Sequence, residues 1–211
     1  VLGESLRILR TNLDYLLRQN IKSKKGSVTL ITSSVSGEGK TFLSSNLTMV
    51  LASTKKKVLL VGADIRNPKL HNFYLDLDEN GKQIKRTDLV GLTEYLYNDD
   101  LDVNEVITSI KVADSNIDIV FSGKIPPNPA ELLMSDRLEE FFEKVREDYD
   151  YIIVDSAPML AVTDTLLIGE YTDQILYVTK SGVTERKVLE YPIKLLDDGK
   201  IKNLSFIVNG V

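Results

Sequence analysis

Six short apolar runs, rich in β-branched residues, punctuate the chain at 28–32, 58–63, 117–121, 151–155, 174–179 and 204–209. Between them lie longer segments with helical spacing, as in Phe42, Leu43, Leu47, Val50 and Leu51. A strand that is apolar on both faces must be covered above and below, and the alternation with helices implies parallel neighbours. The pattern therefore predicts an α/β fold: a doubly wound, mainly parallel sheet with helices on both faces. One domain over 1–211 is expected, with a helix over 1–20 and the core over 27–211. The polar stretch from Asp76 to Asp88, with Asn80-Gly81 and mixed charge, reads as a solvated surface loop. No internal repeat or low-complexity tract interrupts the pattern.

Composition narrows the chemistry. The 211 residues, 43% hydrophobic, suffice for one sizeable core. The formal net charge of -5 argues against broad attraction to nucleic-acid phosphates, so no nucleic-acid partner is expected. The absence of cysteine removes disulfides, thiolate catalysis and cysteine-ligated zinc. No apolar run reaches the ~18 residues of a membrane span, and the amino end has no signal-peptide pattern. The chain starts at Val1 and stops at Val211 directly after a strand-like run, so both ends are expected to continue into a longer polypeptide.

Three strand ends carry polar groups. Residues 33–41, SSVSGEGKT, link the first strand to a helix. Gly37 and Gly39 let the backbone turn its N–H groups inward as a cage for phosphate oxygens, and Lys40 adds a positive charge. Thr41 is expected to open the helix, whose N-terminal dipole favours an anion, with its hydroxyl placed to ligate Mg²⁺. The generic phosphate-loop pattern has glycine where Ser34 stands; serine is small enough to keep the turn. The plainer alternative is an ordinary strand-to-helix turn with an incidental lysine. The second strand runs into Gly62-Ala63-Asp64-Ile65-Arg66-Asn67-Pro68, and the fourth into Asp155-Ser156-Ala157-Pro158. A lone strand-terminal aspartate is usually a turn or cap residue. Beside a phosphate loop, however, Asp155 takes the usual place of a carboxylate that holds Mg²⁺, and ligands of such sheets bind beyond the strands' carboxyl ends.

With these residues in view, nearly the whole chain resembles the bacterial tyrosine kinases. SSVSGEGKT is similar to their Walker A loop, VLLVGADIRNP to their Walker A′ motif and YIIVDSAP to their Walker B motif. The segment from Ser122 to Leu133 and Val162-Thr163-Asp164 are similar to further family stretches. Glu4, Arg7 and Arg10 fit the E-x-x-R-x-x-R pattern through which family members associate into rings, where an ordinary solvated helix face is the alternative. The resemblance implies an ATP-dependent tyrosine autokinase acting on tyrosines of a neighbouring subunit, with ATP and Mg²⁺ as cofactors. It assigns catalysis to Lys40, Asp64, Arg66 and Asp155. Nucleotide contact falls to Ser36, Gly37, Glu38, Gly39, Lys40, Thr41 and Phe42, and the metal to Thr41 and Asp155. As an exposed loop lysine, Lys40 is expected to add little to the core.

The family setting implies a cytoplasmic domain, part of or bound to a bacterial inner-membrane protein of an exopolysaccharide or capsule export system. Its partners would be a homo-oligomeric ring, a membrane activator or polysaccharide co-polymerase segment in the same or a separate chain, and a tyrosine phosphatase. The tyrosine cluster of family tails would lie past Val211. Asn209 and Lys180 are candidates to flank the adenine. Two departures matter. Gly62 replaces the first Walker A′ aspartate, which leaves Asp64 or another group to accept the tyrosine proton; Ala157 replaces a common proline. Two other functions stay open: a partitioning or positioning ATPase of the same superfamily, disfavoured by Val35 where those proteins carry a lysine, and a nucleotide-gated assembly module of weak catalysis.

Overall fold

Parallel pairing of β1 (Ser27–Ser33) with β5 (Tyr151–Asp155) on one side and β6 (Gln174–Lys180) on the other sets the centre of the sheet. The computed structural model describes residues 2–20, 25–74 and 89–211. The sheet extends from β5 through β2 (Val58–Gly62) to β4 (Ser115–Val120), and from β6 to β7 (Leu204–Asn209). With β3 (Thr108–Val112) at one edge, the strand order is β3-β4-β2-β5-β1-β6-β7. All of these pairings are parallel except β3 with β4. The predicted doubly wound α/β architecture is therefore present.

The predicted runs become strands whose ends move slightly: β2 stops at Gly62, leaving Ala63 outside, and β4 stops at Val120. The pattern missed β3. It has a single neighbour, alternates half-buried with exposed residues, and turns into β4 through Ala113 (φ 53) and Asp114, so it needs no continuous apolar run. The polar stretch at 76–88 lies outside the described residues.

Alternate sheet residues feed two cores. Val28, Leu30, Leu59, Val61, Ile152 and Val154 meet Leu138, Phe141, Phe142 and Val145 of α6 (Asp136–Asp148). On the other face Ile31, Leu60, Ile153 and Leu176 meet α1 (Leu2–Asn20) and α2 (Lys40–Ala52). Each fully buried aliphatic side chain contributes about 1.5–3 kcal/mol, so α1, which buries Leu6, Leu13 and Leu17, belongs to the core. Its end is pinned by Tyr151, whose hydroxyl donates to Asp14 at 2.5 Å, and by Asn20, which donates to Gln174 at 2.9 Å. In α2 the core stripe is Leu43, Leu47 and Leu51; Phe42 is 39% exposed and Val50 only half-buried, so the apolar face is narrower than the sequence suggests. Among the described residues no helix is long and apolar enough to cross a membrane.

Candidate active site

Register brings the three strand-end motifs together, because Asp155 is the direct neighbour of Ile31 in β1 and of Gly62 in β2. Beyond β1 the chain turns through Gly37 (φ 88) and Gly39 (φ 100), both left-handed. At Gly39, where the left-handed conformation favours glycine, a Cβ would also lie 2.2 Å from the Asn209 amide nitrogen and would push that side chain aside. The loop is braced from the side of β6 and β7. Ser34 and the Tyr177 hydroxyl share a hydrogen bond of 2.6 Å, which gives the serine in the generic glycine position a structural reason. Glu38, 1% exposed, accepts the Val35 N–H at 3.0 Å and the Thr184 hydroxyl. Asn209 donates to the Glu38 carbonyl at 3.1 Å. The side chain of Glu38 thus holds the loop's shape, leaving only its backbone to face a ligand. Asn209 is committed to the same loop, while the Lys180 backbone N–H donates to Thr184 at 2.7 Å.

Helix α2 begins at Lys40, one residue earlier than expected, and the N–H groups of its first turn have no partner within the helix. Lys40 is not the exposed loop lysine of the sequence reading: it is 8% exposed, because it opens a helix packed beneath the loop. Burial lowers its pKa, opposed by the nearby carboxylates of Asp155 and Asp64.

Asp155 is 4% exposed. It accepts the Thr41 hydroxyl at 2.9 Å on one oxygen and the Ser44 hydroxyl at 3.2 Å on the other. Burial pushes its carboxyl up to about 6, against the pull of Thr41 and Lys40. A buried carboxylate whose oxygens meet only hydroxyls, with Thr41 beside it, is a hard-oxygen set that fits Mg²⁺ retaining several waters. Ser44 was invisible in the sequence, since a serine within a helix carries no motif signal.

Asp64 sits across the cleft, half-buried, with one oxygen accepting the Asn67 N–H at 3.0 Å. Burial raises its pKa from the ordinary value, against the pull of the Asn67 N–H and Lys40. Arg66 grips Asp164, the 2% exposed first residue of α7 (Asp164–Gly169), through Nε at 2.7 Å and Nη2 at 3.0 Å. The guanidinium expected to be catalytic lines the cleft, but its charge is matched in a two-pronged pair. At Gly62 a Cβ would approach the Ser122 Oγ to 2.9 Å and a Leu70 methyl to 3.3 Å, while that Ser122 hydroxyl donates to the Gly62 carbonyl at 2.7 Å. The missing acid is therefore built into the packing. Together Lys40, Thr41, Asp64, Arg66, Lys69 and Asp155 line a cavity of about 210 Å³. Lys69, which the sequence reading passed over, donates to the Ser36 hydroxyl at 3.0 Å.

The predicted oligomer stripe lies elsewhere. Arg7 reaches Glu4 at 3.4 Å, both well exposed, and Arg10 is half-buried. Tyr151 is half-buried in its strand, and burial raises its pKa.

Fold and site together define a P-loop nucleoside-triphosphatase type of domain. The AAA domain family matches residues 26–182. The chain is 36% identical over 210 residues to tyrosine-protein kinase YwqD of Bacillus subtilis, covering 99% of this chain and 81% of that one. It is 33% identical over 208 residues to tyrosine-protein kinase Etk of Escherichia coli, where it spans 99% of itself but only 26%, about a quarter, of the relative. Among solved structures, the kinase domain of Etk superposes with a TM-score of 0.83 at 32% identity, covering 98% of this chain and 74% of that one. A ParA family ATPase from Chlorobium tepidum gives 0.67 at 18% identity over 89% of this chain and 74% of its own, a likeness of fold alone. The chain belongs to the bacterial tyrosine-protein kinase family.

Proposed function

We propose that the chain is the catalytic domain of an ATP-dependent protein tyrosine autokinase, transferring the γ-phosphoryl group of ATP to tyrosines of a neighbouring subunit. The observation that carries this reading is the convergence of Lys40 and Thr41 with Asp155, and of Asp64 opposite them, on one cavity in a chain of this family. Phosphoryl transfer asks mainly for positioning and for stabilisation of charge on the phosphoryl oxygens. Backbone N–H groups over residues 36–42 would cradle the phosphates, and Lys40 would bridge β- and γ-phosphate oxygens. Thr41 and Asp155 would hold Mg²⁺, whose charge offsets that of the triphosphate. As the tyrosine oxygen bonds to the γ-phosphorus, the bond from that phosphorus to the β-phosphate oxygen breaks and ADP leaves. The phenolic proton passes to Asp64, whose burial makes it a stronger base than an ordinary carboxylate. Arg66, tied to Asp164, positions the loop that carries Asp64.

By analogy with its relatives, the domain would act beside a membrane in polysaccharide or capsule export. It would assemble through Glu4, Arg7 and Arg10, respond to a membrane activator, and be reset by a tyrosine phosphatase. Incubation of the chain, extended past Val211, with ATP and Mg²⁺ followed by anti-phosphotyrosine detection tests the central claim, with signal expected from the wild type and none from Lys40→Met. An equal signal from that variant would refute the assignment. The occluded space at Gly62 favours one second reading, an assembly module of weak catalysis. A nucleotide-dependent change in oligomer size without phosphotyrosine would select it.

A further inference from the structure

Lys69 belongs to none of the motifs that define the site, yet it reaches into it. It follows Pro68 on the loop that carries Asp64, and its ammonium crosses to the phosphate loop to donate to the Ser36 hydroxyl at 3.0 Å. Building on the nucleotide site proposed above, we infer that Lys69 is a second phosphate-binding cation that contacts the γ-phosphate and sets the preference for triphosphate over diphosphate.

Two observations point the same way. The first is charge. Of the cations lining the cavity, Arg66 is matched by Asp164, which leaves Lys40 and Lys69 facing Asp64 and Asp155. Both ammonium groups line one cavity, so an anion entering between them would meet two positive charges.

The second is position. Lys40 stands at the helix end of the phosphate loop, and Ser36 stands at its outer end, on the side that faces Asp64. A cation docked on the Ser36 side chain shares its cavity with Asp64, and there it would meet the terminal phosphoryl group, next to the carboxylate proposed to accept the tyrosine proton. A serine hydroxyl is a neutral acceptor, and a phosphate oxygen is a stronger one, so the exposed, flexible lysine gains by exchanging the first for the second.

Calorimetric titration of the full chain with Mg²⁺-ADP and with a non-hydrolysable Mg²⁺-ATP analogue tests the inference on the wild type, Lys69→Met and Lys69→Arg. Lys69→Met is expected to weaken the triphosphate analogue about tenfold and ADP less than about twofold, as loss of one charge-assisted hydrogen bond to the terminal group requires. Lys69→Arg is expected to restore most of the difference. Equal losses for both nucleotides, or no loss for either, would overturn the inference and leave Lys69 a simple latch between two loops. Failure of the wild type to bind either nucleotide would instead refute the nucleotide site itself. The side chain is exposed, so unfolding is not expected to obscure the comparison.

Discussion

Replacing Asp155 by asparagine should make the ligand-free protein more stable while destroying its ability to hold a metal-bound nucleotide. The carboxyl protonates near 3.8 in an unfolded chain and near 6 in the fold, because burial outweighs the hydrogen bonds from Thr41 and Ser44 and the attraction of Lys40. The folded state thus binds the proton more readily. The contribution of Asp155 to stability is whole below pH 3.8 and is lost as pH rises through 6. Above that, about two pH units of displacement correspond to about 3 kcal/mol of destabilisation. That displacement is already net of the attraction to Lys40, but an asparagine also gives up one of the two accepted hydrogen bonds, so the net gain should be about 1–2 kcal/mol. For a chain of this size that is a rise of about 2–8 °C in Tm at pH 8. Asparagine keeps the shape, its carbonyl oxygen accepting from one of the two hydroxyls while its amide donates to the other, which keeps the packing intact. Thermal unfolding of both proteins between pH 5 and 8.5, without nucleotide, measures the effect. The gap should shrink steadily as pH falls through 6, while calorimetry with Mg²⁺-ADP should show the variant's affinity collapsed. A variant less stable than the wild type at pH 8, or a gap independent of pH, would refute the reasoning.

Other expectations follow from the same geometry. Lys40→Met should abolish autophosphorylation while the fold persists, since methionine fills the buried space of the lysine stem; circular dichroism and phosphotyrosine blotting check both halves. Asp64→Asn should lower the transfer rate far more than it weakens ATP binding, and comparable losses in kinetics and calorimetry would make Asp64 a metal-shell residue. Gly62→Asp, meant to restore the family's acid, should cost about 1–3 kcal/mol in urea unfolding because its Cβ meets Ser122. Combining it with Ser122→Gly should recover part of that loss.

The central fold was legible because its strands are apolar on both faces, a property written residue by residue in runs such as 152–154. β3 escaped notice for the opposite reason: as an edge strand, half of it faces solvent. The phosphate loop, Asp64 and Asp155 could be read from their places at strand ends, where topology alone brings them together. What could not be read were contacts made across the sequence by residues of ordinary local character. Ser44 on Asp155, Asp164 under Arg66, Thr184 on Glu38 and Lys69 on Ser36 each depend on distant segments meeting. Lys40 was misjudged for a related reason, since its burial comes from the helix it opens and not from its neighbours in the chain.

The ties from Tyr177, Thr184 and Asn209 give the phosphate loop its final form before any ligand arrives. Ordering a free backbone costs about 1–2 kcal/mol per residue, a penalty this loop has already met during folding. Capture of a nucleotide should accordingly be governed by diffusion and release of water, with little dependence on slow rearrangement of the loop. Cutting one brace, for example the Asn209 amide, would move that penalty from the folding of the chain to the arrival of its ligand.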